Sequence, residues 1–311
     1  MSVVAERRSL AKPFLKWAGG KTQLIAQIDA RLPKKEIEDG CVDTYVEPFV
    51  GGGAVFFHIA QKYPEIERFY LFDVNEDLVN CYNAVKENVG TLIDQLNALQ
   101  RKFLRKDQSK RKDFYYRVRD DFNSERDPAQ VIFLNKTCYN GLYRVNRKGE
   151  FNVPFGDYTK PSICDAKNLR IVSEVLQKAD IICADFEGSD RYVDEKAFVY
   201  CDPPYRPLSR TASFTSYAKE DFDERSQIRL AEFCREIDRK GAKFLLSNSD
   251  PKNEDPKDHF FENHYEGFTI ERVKAVRAIN CKGSRRGQIN EILVTNYARA
   301  ESKAGGVFYE V

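Results

Sequence analysis

Four consecutive residues, Asp202-Pro203-Pro204-Tyr205, combine a carboxylate, proline carbonyls and an aromatic ring. They follow Ala197-Phe198-Val199-Tyr200-Cys201, an apolar run rich in aromatic and β-branched residues that predicts a buried strand. Two prolines cannot continue a sheet, because each lacks an N–H and fixes φ, so the backbone must leave at Asp202. The carboxylate, two carbonyls with no donor beside them and the ring are then presented together at the C-terminal edge of a strand, where open α/β sheets bind ligands. Such a set of acceptors suits a planar exocyclic amine. The lone pair of that amine is delocalised into its ring, and accepting both N–H hydrogens localises it. Asp-Pro is also common in ordinary turns, so the tetrapeptide by itself supports either reading.

The elements that would position these residues come earlier and later in the chain. A candidate strand at 42–46 runs into Glu47-Pro48-Phe49-Val50-Gly51-Gly52-Gly53 and then a helical stretch through Lys62. Strand, glycine turn and helix let a ligand approach bare backbone and a helix N-terminus. The dinucleotide fingerprint fails, because Phe56 stands where its last glycine belongs. A second strand, 68–72, ends at Asp73, about 20 residues after Gly53, the spacing at which an acid takes ribose hydroxyls in adenosine-binding sheets. Asn75 then caps a helix. A strand over 180–186 also closes on an acid and an aromatic, Asp185 and Phe186: the acid suits an adenine amino group and the ring suits stacking. A helix near 224–240 stopped by Gly241, a strand at 242–247 and two final strands, 268–279 and 289–297, complete the pattern. Near the N-terminus, Phe14 to Thr22 contains Gly-Lys-Thr, but Leu15 occupies the position where a phosphate loop needs glycine. What remains is a tight turn bearing Trp17, with Lys21 free to reach a carboxylate.

Hydrophobic content of 42%, charged content of 32% and a formal charge of +2 describe an ordinary globular chain. Eight cysteines include no C-x-x-C pair. They are expected to be free thiols, with Cys183 and Cys201 as small buried hydrophobes. His58, His259 and His264 have no metal-ligand spacing, and no metal is expected. No secretory signal, membrane span or internal repeat is visible, and a cytoplasmic location follows. Charge is concentrated locally: residues 101–148 carry fourteen Lys or Arg against six Asp or Glu, with aromatics interleaved. That composition suggests nucleic acid. Within it, Asn135 to Arg144 holds an Asn-Gly turn presenting Tyr139, Asn140, Leu142 and Arg144. Asn can read adenine and Arg guanine in the major groove, and a leucine or aromatic can wedge between bases. A hairpin turn at Arg147-Lys148 follows. Residues 272–288 hold six basic residues and no acid, as befits a hairpin lying on phosphates.

Taken together, FLKWAGGK (14–21), EPFVGGGAVFF (47–57), Asp73, NKTCYNGLYRVNRKGEFNVPFG (135–156) and VYCDPPYRPLSRTASFTSY (199–217) resemble the DNA adenine N6-methyltransferases of the Dam type, in their α-type order. The resemblance implies an α/β fold with a Rossmann-like class I methyltransferase sheet, S-adenosylmethionine as methyl donor and duplex DNA as partner, the chain acting as a monomer. It implies a catalytic domain of residues 1–88 and 171–300, a mostly helical target-recognition insert at 89–170 and a tail at 301–311. By position it assigns Trp17, Lys21, Glu47, Phe49, Gly51, Gly53, Asp73, Asp185, Phe186 and Asp202 to the cofactor. It assigns Asp202, Pro203, Pro204 and Tyr205 to a flipped adenine. Lys16, Tyr139, Asn140, Leu142, Arg144, Arg147, Lys148, Pro154, Lys282, Arg285 and Arg286 fall to DNA, and position 143 is not expected to read a base. The implied site is 5′-GATC. An adenine methylase with another site, an RNA or protein methyltransferase and a DNA-binding module with an inert transferase half are the competing readings. Solitary and restriction–modification roles both stay open.

Overall fold

The computed structural model describes residues 9–206, 222–276 and 288–298. Its described strands form one seven-stranded sheet: β1 (Thr44–Glu47), β2 (Arg68–Asp73), β3 (Ala179–Cys183), β4 (Ala197–Cys201), β5 (Lys243–Ser249), β6 (Thr269–Val276) and β7 (Gln288–Thr295). The order is β3-β2-β1-β4-β5-β7-β6, with β1 to β5 parallel and β7 antiparallel to both neighbours. The chain steps outward from β1 to β2 and β3, then crosses back to lay β4 on the other flank of β1. Strand order reverses there, which opens a crevice beyond the carboxyl ends of β1 and β4. Val46 is in register with Val199. The turn after Glu47 and the turn at Asp202 therefore leave the sheet side by side.

Alternation along the strands decides which side chains face which layer. On β4, Phe198 and Tyr200 join one core, and Ala197, Val199 and Cys201 join the other. The first core takes in α1 (Ile25–Asp29), α2 (Lys34–Glu38), α3 (Ala54–Lys62), α4 (Glu76–Leu104) and α7 (Ala166–Leu176); the second takes in α8 (Glu224–Arg239) and α9 (Phe260–His264). Complete burial of one such large apolar side chain contributes about 1.5–3 kcal/mol. All seven strands expected from sequence are present. The third is shorter than its apolar run: it stops at Cys183, and Asp185 caps a 3₁₀ turn over Phe186–Tyr192. Cys183 is exposed, contrary to expectation, because β3 is the edge strand; Cys201, on a central strand, is buried.

Between β2 and β3 the chain leaves the sheet. Asn75 accepts the Leu78 N–H at 3.0 Å to start α4, which bends at Asn88, where φ is −135°. α5 (Gln108–Glu125) is capped by Asp107, and α6 (Pro128–Thr137) by Asp127 with proline at its first position. The aromatics interleaved with charge in this stretch are mostly not a nucleic-acid surface. Phe103, Tyr115, Phe122 and Phe133 are wholly buried and continuous with the first sheet core. Helices without a sheet of their own need large rings to fill the space between them. Tyr139, 54% exposed, and Leu142, 40% exposed, remain outside.

Candidate active site

The glycine turn and the acids around it form the β1 side of the crevice. Gly51 and Gly53 adopt φ of +48° and +69°, which side chains other than glycine rarely take. A Cβ on Gly53 would lie 2.5 Å from the Tyr82 hydroxyl, and one on Gly51 would lie 3.0 Å from Trp17 Cδ1. The Tyr82 hydroxyl donates to the Gly51 carbonyl at 3.0 Å. Asp73, at the end of β2, accepts the Gly51 N–H at 3.1 Å on one oxygen and the Asn75 N–H at 2.9 Å on the other. A carboxylate has about four lone-pair sites, so acceptor capacity remains for hydroxyls. Burial pushes the Asp73 carboxyl up, and these backbone donors oppose it. Glu47 sits beneath the turn, 2% exposed, accepting the Tyr45 hydroxyl at 2.7 Å. Burial, with the nearby charges of Asp202 and Asp73, raises its pKa well above the ordinary value. Its carboxyl is buried against its own strand instead of facing open space.

On the β4 side, Lys21 reaches a carboxylate of the enzyme itself. Its side chain is 4% exposed, and the ammonium lies 2.5 Å from Asp202 Oδ1, 3.1 Å from the Gly19 carbonyl and 4.7 Å from the centre of the Tyr205 ring. Ser247 on β5 donates to the same Oδ1 at 3.1 Å. Its hydroxyl hydrogen being used, Ser247 accepts from the Tyr200 hydroxyl at 2.9 Å. Burial raises the Asp202 carboxyl, while the charge and hydrogen bond of Lys21 and the bond from Ser247 hold it back. Two expectations are corrected here. Asp202 is not donor-free, because its Oδ1 is fully engaged. The Pro204 carbonyl accepts Gln227 Nε2 at 2.8 Å, and Gln227 is held in turn by Asn248 at 3.2 Å. Among the described residues no donor reaches Asp202 Oδ2 or the Pro203 carbonyl, so these two acceptors remain.

Phe186 also departs from its expected role. Its ring is 1% exposed, stacked on Phe49 at 5.6 Å and edged by Phe222 and Phe233, so it offers no open face. Asp185 accepts the Glu187 N–H at 3.1 Å and faces Arg229 at 3.5 Å.

The stretch 135–156 is tied directly to the N-terminal turn. Asn135, 2% exposed, accepts the Lys16 N–H at 2.8 Å and donates to the Lys16 carbonyl at 2.8 Å and to the Gly141 carbonyl at 3.0 Å. Asn140 sits at φ +55°, and the Tyr139 N–H is held by the Pro154 carbonyl at 2.9 Å. Arg144 is exposed and bonds Asn152 Oδ1 at 2.7 Å. Arg147 and Lys148 stand exposed on a hairpin turn closed by Asn146 and Glu150. Tyr143 turns inward: it stacks on Trp17 at 5.4 Å and its hydroxyl bonds Asp77, which also pairs with Arg126 at 2.9 Å. A cleft of about 430 Å³ beside this loop is lined by Lys16, Lys136, Tyr158 and Lys160. Lys282, Arg285 and Arg286 lie outside the described residues.

Ser247, Tyr200, Gln227, Tyr82 and Asn135 act in this arrangement without having been singled out from the sequence. Only Asn135 carried a signal, by its place in the 135–156 stretch.

With this geometry in view, the chain matches the model of the D12 class N6 adenine-specific DNA methyltransferases over residues 17–279. It is 55% identical over 294 residues to the Type II methyltransferase M.MjaIII of Methanocaldococcus jannaschii, covering 92% of this chain and 99% of that one. It is 36% identical to the DNA adenine methylase of Haemophilus influenzae, over 93% of this chain and 94% of the relative, and 36% identical to that of Escherichia coli, over 91% and 94%. A sheet that reverses at β1/β4, an acid–diproline turn at the reversal and a match across most of its length make this chain a member of the D12 class of N6 adenine-specific DNA methyltransferases.

Proposed function

We propose that the chain methylates the N6 amine of an adenine turned out of duplex DNA, with S-adenosylmethionine as donor and 5′-GATC as the site. The observation that carries this reading is the split of acceptors at Asp202. Lys21 and Ser247 hold Oδ1, while among the described residues Oδ2 and the Pro203 carbonyl stay available for the two hydrogens of one amine. Accepting both hydrogens localises the amine lone pair. Lys21 keeps the carboxylate ionised so that it can accept, and Ser247 fixes its rotation. Tyr205 offers its ring to the base. The donor suits the turn at β1: residues 51–53 are bare backbone whose space a Cβ would fill, and Asp73 retains lone pairs for ribose hydroxyls. Trp17 and Phe49 flank that turn, and Asp185 with the Phe186 backbone follows β3 toward the adenine end. S-adenosylmethionine held there would supply a methyl carbon on a sulfonium, whose sulfur would leave with the electron pair. The amine nitrogen would take that methyl, and its surplus proton would pass to the Asp202 carboxylate and on to solvent. Alignment and preorganised charge provide most of the acceleration.

An adenine cannot react inside a duplex, and extruding it costs a few kcal/mol. Tyr139 and Leu142, the exposed apolar side chains of the loop, suit a wedge between bases. Asn140, Arg144, Lys16 and Pro154 form the base-facing set, with Arg147 and Lys148 toward phosphates. The test is labelled S-adenosylmethionine with duplexes that contain or lack GATC. Label in adenine of GATC duplexes alone is the expected result. Label in duplexes without GATC would overturn the site, and label in RNA or protein instead would overturn the substrate. Asp202→Ala is expected to abolish turnover and keep DNA binding.

A further inference from the structure

The turn between α4 and α5 holds a second concentration of positive charge, which the methyl-transfer site does not use. Lys102 and Arg105 at the end of α4, Lys106 in the turn, and Lys110 and Arg117 on α5 line a cleft of about 590 Å³. Phe114 forms part of its wall, with the Lys106 ammonium 5.6 Å and the Arg117 guanidinium 5.8 Å from its ring centre. Among the described residues, the only acid lining the cleft is Asp107. Its carboxylate is committed to the Lys110 backbone N–H at 3.0 Å and the Lys110 ammonium at 3.0 Å. Among the described residues, Lys102, Arg105, Lys106 and Arg117 have no ion-pair partner.

Helix-end electrostatics do not account for this cluster. A helix C-terminus favours cations, which explains Lys102 and Arg105 on α4. It does not explain Lys110, in the first turn of α5 where positive charge is disfavoured, or Arg117 in the middle of that helix. Like charges gathered around one concavity repel one another, and an anion entering it relieves that repulsion. The helix that walls this cleft also contacts the loop that walls the other basic cleft. Arg111 on α5 donates to the Thr159 carbonyl at 2.9 Å, and Gln108 bonds Asp157. Tyr158, Thr159 and Lys160 wall the cleft that contains Lys16 and Lys136. Two basic clefts thus flank a single helix–loop contact.

We propose that the α4–α5 cleft is a second phosphate-binding surface, which takes the sugar–phosphate backbone of the duplex beyond the recognised bases. This rests on duplex DNA being the substrate. The surface lengthens the footprint of the protein without reading sequence, so it adds salt-dependent affinity that only a long duplex can collect.

The experiment compares the full chain with a Lys102→Gln/Lys106→Gln/Arg117→Gln variant, all three positions lying on the surface or half-exposed. Binding and methylation are measured on GATC duplexes of about 12 and about 30 base pairs across a salt series, each phosphate contact contributing a log–log slope of about 0.9. The expected result is several-fold weaker binding of the long duplex by the variant, a slope smaller by about 2–3, and unchanged affinity and turnover on the short one. An unchanged slope on the long duplex overturns the proposal, as does an equal loss on both lengths, which would reflect overall charge. If the unaltered chain methylates neither duplex, the substrate reading fails. If it methylates both and the variant shows no length-dependent defect, only the second surface fails.

Discussion

Lys21→Met keeps most of the side-chain stem and deletes the charge that holds Asp202. The ammonium is nearly inaccessible and 2.5 Å from Oδ1, so water cannot readily replace it. A hydrogen bond to a charged group contributes about 1.5–3 kcal/mol. Each 1.4 kcal/mol is about tenfold in rate, so turnover near neutral pH is expected to fall roughly 10- to 100-fold. The pH dependence is more diagnostic than the magnitude. Burial already pushes the Asp202 carboxyl up, and Lys21 is the main opposing influence. Without it the carboxyl rises further, so the ionised, accepting form appears only at higher pH. The acidic limb of the rate profile must move toward alkaline pH, with activity partly recovered there. Ser247→Ala is expected to move it the same way by less. The assay is single-turnover methyl transfer into a GATC duplex with both substrates saturating, and calorimetry checks that cofactor and DNA still bind. An acidic limb that stays in place while turnover drops would refute the assignment of Lys21 as the group that keeps Asp202 ionised.

Gly53→Ala forces a side chain into φ +69° and onto the Tyr82 hydroxyl. Left-handed strain of about 1–2 kcal/mol and loss of a hydrogen bond worth about 1 kcal/mol predict a melting temperature lower by roughly 3–5 °C and weaker cofactor binding; unchanged values in calorimetry would contradict the close packing described. Arg144→Ala is expected to cost about 1–3 kcal/mol of discrimination at one base pair, read as relative kcat/KM on single-base variants of the site. Equal loss on every sequence would assign it to phosphate instead. Asp29→Asn tests stability linkage. Burial raises the Asp29 carboxyl, but hydrogen bonds from Lys34, Lys62, His58 and Tyr63 outweigh it and hold it well below the ordinary value of 3.8. A depressed folded pKa contributes stability above the unfolded value, lost as pH falls toward the folded one. The wild-type advantage in urea melts should therefore shrink below about pH 4; a constant gap would mean that the carboxylate is not what stabilises this cluster.

The sheet was legible because its strands are short apolar runs closed by an acid or a glycine turn, at Glu47, Asp73 and Asp202. Local chemistry sets where such runs stop. The acceptor geometry was legible only in outline. Whether a carbonyl is free depends on residues distant in sequence: Gln227 reaches Pro204 from α8, and Ser247 reaches Asp202 from β5. Neither residue type is unusual where it stands, so nothing in the sequence marks it. Phe186 was misread for a related reason. An aromatic after a strand suits stacking and burial equally, and three neighbouring rings decide for burial. In the insert, rings among charges resembled a binding surface until the helices closed over them.

Trp17 touches the glycines of the β1 turn on one flank and Tyr143 on the other, and Asn135 locks Lys16 to the loop that carries Gly141. A ligand that selects one placement of this turn must select the same placement of the loop. Linkage is reciprocal, so whichever of methyl donor and DNA arrives first alters the affinity for the other by a common factor. Binding of the two is then cooperative in either order through this shared joint, with no large movement of either half required.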